Sequence, residues 1–338
     1  MRTLATALSL RKPASRRLGA AALVLLFSGL CHLVVLLVFS QQWAGPVSLR
    51  KPITFGVSVG MLLWTVGWVI DRLPSRPRLE KSLGLSLALS GLAEVALITV
   101  QAWRGVPSHF NYTTVEDLVV FVAMGVSIAV LSVGLLITTV WTFVSPPADR
   151  TIALAVRAGM ALVLTGLGIG QWIIEMGNDF FEQFDRVPDQ VLAGEAGVPT
   201  FPHAMGFHGI QVFIVAALLT GLIGMGAVAA QRVLRLVVSG YSVMLLWAVV
   251  QAASGRGPLD VLWPGSALAV IGVGLLAAAA VQLFDSWRRG ERSSTSEDSS
   301  TSEDSSTSED SATSEDSATS EDSANSDVDA EAAVPSAL

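Results

Sequence analysis

Glu94 lies near the centre of an apolar run over 82–103, the least expected place in this chain for a carboxyl group. Exposing it to hydrocarbon costs about 3 kcal/mol or more, so it belongs in a bundle interior or a hydrated cavity. Ser90, Glu94 and Gln101 fall on one face of a helix, and Arg104 continues that face. Gln171, Glu175 and Asn178 recur at i, i+4 and i+7 at the end of another run, and His208 and Gln211 at i, i+3 in a third. Together these stripes predict a polar pocket lined by Glu94, Gln101, Glu175, His208 and Gln211, with His32 and His109 near it. Arg104 would serve as counter-ion to Glu94 or to an anionic ligand. Such a set suits a small solute or a cation.

The histidines suggest a second chemistry. His32, His109, His203 and His208 could hold haem or copper in a membrane redox protein, given a common cavity. His203 and His208 are i, i+5, about 140° apart on a helix, so they are not the one-face pair of a zinc helix. Cys31 is the single cysteine, which excludes an intramolecular disulfide. Lys51 and Lys81 sit only at the ends of runs, where neither could carry a retinal Schiff base. No serine occupies a Gly-x-Ser-x-Gly elbow. Gly166, Gly168 and Gly170 lie within an apolar run, as do Gly221, Gly224 and Gly226, so both sets are expected to serve helix packing.

These side chains need helices to position them. The chain has 338 residues, 51% hydrophobic and 14% charged, with a mean hydropathy of +0.58, which excludes both a disordered chain and an ordinary soluble enzyme. Eight runs are long enough to cross about 30 Å of hydrocarbon as helices. They cover 18–40, 53–72, 82–103, 117–144, 151–174, 203–229, 236–254 and 263–284. The first is too long for the apolar stretch of a cleaved leader, usually about 7–15 residues, and reads as a retained span. Sixteen of the 21 Lys and Arg residues fall on the side of the N-terminus. The other five, Arg50, Lys51, Arg104, Arg186 and Arg256, fall opposite. That bias puts both termini in the cytoplasm. The expected fold is all-α: a basic N-terminal segment over 1–17 and an eight-span transmembrane bundle over 18–285. Trp43, Trp103, Trp172 and Trp263 fall near outer span ends, as headgroup anchors do.

The formal charge of −7 describes neither part of the molecule. From Ser293 onward there are 13 acidic residues and no Lys or Arg, whereas the preceding residues carry 21 basic against 15 acidic side chains. The hexad Ser294-Thr295-Ser296-Glu297-Asp298-Ser299 recurs with drift through Asp322. With nothing apolar to bury, 286–338 is expected to be a disordered acidic tail, either solvating or a docking strip for a basic cytoplasmic partner of an interaction or sensory subunit. Scattered basic residues and a phosphate-repelling tail exclude nucleic acid as a partner. The longest outer connection, 175–202, holds Glu175, Asp179, Glu182, Asp185, Asp189 and Glu195 against Arg186, a field that would concentrate cations. Gln101-Ala102 and Gln251-Ala252 each end an outward span before an Arg-Gly pair. This echo of two parallel sets of four spans is too short by itself to establish duplication.

Three stretches, Arg50-Lys51-Pro52-Ile53-Thr54-Phe55-Gly56, the segment from Gln101 to Asn111, and the segment from His203 to Gln211, resemble a group of uncharacterised bacterial integral membrane proteins over most of 18–285. The resemblance implies a multi-pass protein of the bacterial cytoplasmic membrane and implies no chemistry. The leading expectation is a protein that binds or transports a small solute or cation through an outward-facing polar site. Haem or copper redox chemistry and a sensory or interaction role are the rivals.

Overall fold

The computed structural model describes residues 4–40, 42–45, 47–185 and 196–304, and no strand occurs among them. A short stub, α1 (Leu4–Leu8), precedes eight long helices: α2 (Pro13–Val38), α3 (Arg50–Arg72), α4 (Pro77–Arg104), α5 (Val115–Val144), α6 (Arg150–Phe184), α7 (Thr200–Leu222), α8 (Ala227–Ala253) and α9 (Ala267–Asp304). Each carries one expected span, and all eight are long and apolar enough to cross a membrane, the last by its part up to Arg289. Residues up to Gly290 form one compact unit and those from Glu291 a second. α9 continues to Asp304, beyond position 286 where the acidic tail was expected to begin. Side chains past Arg289 and all of 305–338, with most of the acidic repeat, lie outside the described residues.

Local chemistry explains the helix starts. Pro13 and Pro77 open α2 and α4, where a missing N–H leaves no bond unmade. Thr114 caps α5 by accepting from Asp117 N, and Asp149 caps α6 by accepting from Thr151 N and Ile152 N. At 35 residues, α6 is about 52 Å long, well beyond the roughly 30 Å of hydrocarbon, so its last turns stand clear of it. Glu175, Asp179 and Glu182 therefore sit on a helix rather than in the expected loop, while Arg186, Asp189 and Glu195 lie outside the described residues. The sixth and seventh spans also divide earlier than expected. α7 ends at Leu222 and α8 starts at Ala227, because Gly224 takes a φ of 74° and turns the chain. Arg232 and Arg235 thus lie on α8, not in a connection.

At one rim, Lys12 Nζ donates to Ile70 O (2.9 Å), Leu73 O (2.8 Å) and Glu80 Oε1 (2.9 Å), closing the end of α3. Asp71 Oδ1 accepts from the backbone of Arg11 and Lys12. This is the terminal rim; α3, α5, α7 and α9 begin at the opposite, far rim.

Close helix pairs form at glycines. A Cβ on Gly56 would stand 3.1 Å from Gly29 Cα, and one on Gly206 would stand 2.6 Å from Gly166 Cα. Gly170 packs on His203, whereas Gly168, Gly221, Gly224 and Gly226 face nothing within 4 Å and serve no packing.

The α3 and α7 members of these pairs share a further regularity. α3 and α7 have the same bounds at an offset of 150 residues, and α4 and α8 start at the same offset. In that register Pro52, Gly56, Gln101, Ala102 and Gly105 meet Pro202, Gly206, Gln251, Ala252 and Gly255. Both helix ends close alike: Gly105 (φ 71°) and Gly255 (φ 70°) turn the chain, and Val106 N and Arg256 N donate to Gln101 O and Gln251 O. The register follows the glycines, so the two Arg-Gly pairs are not equivalent. The correspondence is confined to α3–α4 and α7–α8, since α2 and α6 start 137 residues apart and α5 and α9 152; α2–α5 and α6–α9 are the two halves of the helix order.

Replacing Gly206 by Leu should force α6 and α7 apart and destabilise the protein by about 1–3 kcal/mol. Gly221→Ala, with free space around it, should leave stability unchanged or raise it slightly. Unfolding in mixed micelles followed by circular dichroism checks both.

Candidate functional site

The connection between α4 and α5 folds back into the bundle at the far rim. Ser108, Phe110 and Asn111 are buried, though all three lie in a loop. Asn111 holds the turn, its Nδ2 donating to Pro107 O (3.2 Å) and its Oδ1 accepting from Thr113 Oγ1 (2.7 Å). Phe110 takes a φ of 57° and lies against Gly177, where any side chain would collide with its ring. His109 is surrounded by Phe55 of α3, Phe110 and Phe121 of α5, with ring centroids 6.0–6.4 Å away. Tyr112 extends the cluster onto Phe121 and Phe181, and its hydroxyl donates to Asn178 Oδ1 (3.3 Å).

Beside this loop is a closed crevice, too tight to admit a water molecule, lined by Val47, Ser48, Lys51, Ile98, Ala102, Val106 and Ser108. Lys51 Nζ reaches only Ser108 Oγ, at 3.4 Å, and Ser108 Oγ is paired with His109 Nδ1 at 2.9 Å. Arg50, 8% exposed, has a buried Nε without a hydrogen-bond partner. Neither cation has a carboxylate partner among the described residues, although both lie in the first turn of α3, whose free N–H groups already favour negative charge. Lys51 was read from the sequence only as a span end; that it is basic on the side where few basic residues fall was the available signal.

Ser90, Glu94 and Gln101 share the buried face of α4 as expected, and Glu94 is 1% exposed. Its Oε2 has no hydrogen-bond partner. Ile98 lines the cleft, and Glu94 lies one helical turn, about 6 Å, below it on the same face. Arg104 is not the counter-ion of Glu94. It pairs with Asp117 Oδ1 (2.8 Å) and donates to Gln101 Oε1 (2.5 Å), while Gln101 Nε2 donates to the same Asp117 oxygen (3.0 Å). Asp117 escaped the sequence reading, although Thr114-x-x-Asp117 is a capping pattern that marks a helix start.

The other expected residues are dispersed. Glu175 and Gln171 are exposed and do not join the pocket, because the face of α6 that packs inward carries Gly166, Ile169 and Gly177 instead. His208 and Gln211 meet α3: His208 Nε2 pairs with Ser58 Oγ (3.1 Å) and Gln211 with Thr65 Oγ1 (3.1 Å). Ser58 and His208 are 150 residues apart, the offset of α3 and α7, and their contact joins those two helices. His208 Nδ1 is buried without a partner. His32 Nδ1 donates to Ser28 O (2.7 Å) and its Nε2 accepts from Trp103 Nε1 (3.0 Å), which leaves no lone pair for iron or copper. His203 Nδ1 donates to Gly166 O (2.8 Å). The four histidines are divided among different helix pairs, and no three His, Cys, Asp or Glu converge on a metal position among the described residues.

No family model, curated protein or solved structure matches the chain.

Burial among the aromatic rings, and the charge of Lys51, push the His109 imidazole down to about 3. The unfolded chain takes up this proton near pH 6.5 and the folded chain only near 3, so acid favours unfolding across that window. Between pH 7 and 5 this single site should remove about 2 kcal/mol of stability. His109→Phe should lose that part of the acid sensitivity, measured as the difference in unfolding midpoint between the two proteins at each pH.

Proposed function

We propose that this protein binds a small solute carrying an anionic group between α3, α4 and the α4–α5 connection, in a crevice that is closed here and opens by movement of the helices around it, and that it transports this solute. The observation that carries the reading is the pair Arg50 and Lys51, two adjacent cations at a protein-enclosed rim with no carboxylate among the described residues to neutralise them. An uncompensated charge in such surroundings is costly, and an anion relieves it. A cation as the primary ligand is less well supported, because Glu175 is exposed and Asp117 is held by Arg104. Lysine and arginine bias assigns the far rim to the outside, so the cleft would face outward. Glu94, one turn deeper with an oxygen free, is suited to a hydrogen-bond donor on the same solute. The recurrence of α3–α4 in α7–α8 at 150 residues supports the transport part of the reading, because many transporters are built from internal repeats.

Glycine, acetate and methylamine serve as probes of the two ends of the cleft, with binding read by calorimetry on purified protein. Glycine should bind the parent protein best. Lys51→Met should weaken glycine and acetate about tenfold or more, the loss of a charge-assisted hydrogen bond. Glu94→Gln should weaken glycine and spare acetate. Equal affinities for glycine in the parent and Lys51→Met proteins would sink the assignment.

A further inference from the structure

We infer that the groove between α8 and α9 toward the terminal rim is a binding site for the headgroup of an anionic phospholipid, independent of the far-rim cleft. Arg232, Arg235 and Ser239 occupy one exposed face of α8 at i, i+3 and i+7. With Val228, Leu236 and Leu275 they line an open cavity of about 300 Å³. Among the described residues, Arg232 has no hydrogen-bond or ion-pair partner, and Arg235 reaches only Gln231 Oε1, at 3.5 Å. Several cations of the same rim are instead bound by protein: Lys12 by Glu80, Arg76 by Ser145 Oγ and Arg157 by Thr142 O.

Position along the helix gives the depth of this groove. Leu85 and Leu89, as far into α4 as Arg235 and Ser239 are into α8, are 49% and 57% exposed, the apolar surface expected of a span at that depth. Arg235 lies eight residues into α8, about 12 Å from the helix end, with no acidic side chain on its own helix. A guanidinium at that depth reaches up to the headgroup layer and takes its anion from there. Two guanidinium groups three residues apart suit one phosphate, and the apolar residues beneath give an acyl chain a wall to lie on. A basic pocket between helices at the side that the charge bias assigns to the cytoplasm is the setting in which anionic lipids are held.

The test uses the full chain in nanodiscs of phosphatidylcholine with a minor share of phosphatidylglycerol, and reads retained phosphatidylglycerol by native mass spectrometry. The parent protein should retain it. The double variant Arg232→Gln, Arg235→Gln should hold it about thirtyfold more weakly, roughly the factor expected from two cations at an anionic surface. Leu275→Trp, which fills the groove with both arginines in place, should weaken it too and decides the matter if the double variant misfolds. Arg288→Gln with Arg289→Gln removes two exposed cations elsewhere on that rim and should change nothing. An equal loss in that control would reduce the effect to diffuse attraction and overturn the site. Displacement of the lipid by inorganic phosphate would overturn it as well, in favour of a free anion.

Discussion

Two glycine-on-glycine contacts, Gly29 with Gly56 and Gly166 with Gly206, set the positions of everything else in the bundle. In lipid, apolar side chains gain little by leaving one hydrocarbon for another, so helix pairs are held by close van der Waals contact and by polar contacts that water does not contest. Removing the side chain on both sides brings backbone to backbone, and α3 is thereby fixed on α2 and α7 on α6. The consequence at the far rim is direct. Pro52 and Lys51 lie one turn above Gly56, so the approach of α3 to α2 fixes where the ammonium group stands. On the other side, the approach of α7 to α6 lets His203 donate to a backbone carbonyl at Gly166.

Part of the frame recurs at an offset of 150 residues, and the charged residues of the far rim do not. Arg50, Lys51 and Glu94 correspond to Thr200, Phe201 and Met244 in the second half, so one copy carries the charges and the other carries neutral residues at the same places. The shared positions are those that fold the chain: a proline in the first turn of α3 and α7, a glycine at each close contact, and a buried glutamine near each helix end. Gln101 and Gln251 even do related jobs, one binding Asp117 and Arg104 and the other Gly257 O, Asp260 O and Trp263. Between α3 and α7, Ser58 faces His208, 150 positions away.

The spans, their number and the buried face of α4 were legible because a helix in lipid must be apolar over a fixed length, and an ionisable group within it must turn inward. Glu94, Ser90 and Gln101 obeyed that rule. Glu175 did not, since α6 runs past the hydrocarbon and the rule lapses where water returns. The boundary between α7 and α8 was misplaced because Gly221, Gly224 and Gly226 read equally well as packing residues and as a turn; only the positive φ of Gly224 separates the two. The metal reading depended on which lone pairs were free, and sequence is silent on that. His32 is occupied by Trp103 from 71 positions away.

Arg104 and Lys51 show why charge at one rim can have opposite meanings. Both are far-rim cations on neighbouring helices, and from the sequence either could be a counter-ion. Arg104 has a carboxylate and an amide oxygen within 2.8 Å and remains partly exposed, so its charge is spent inside the protein. Lys51 has one hydroxyl at 3.4 Å, a second cation beside it and a wall of apolar residues around it. The two residues differ in what they are left to bind, and it is the unsatisfied one that lines the cleft.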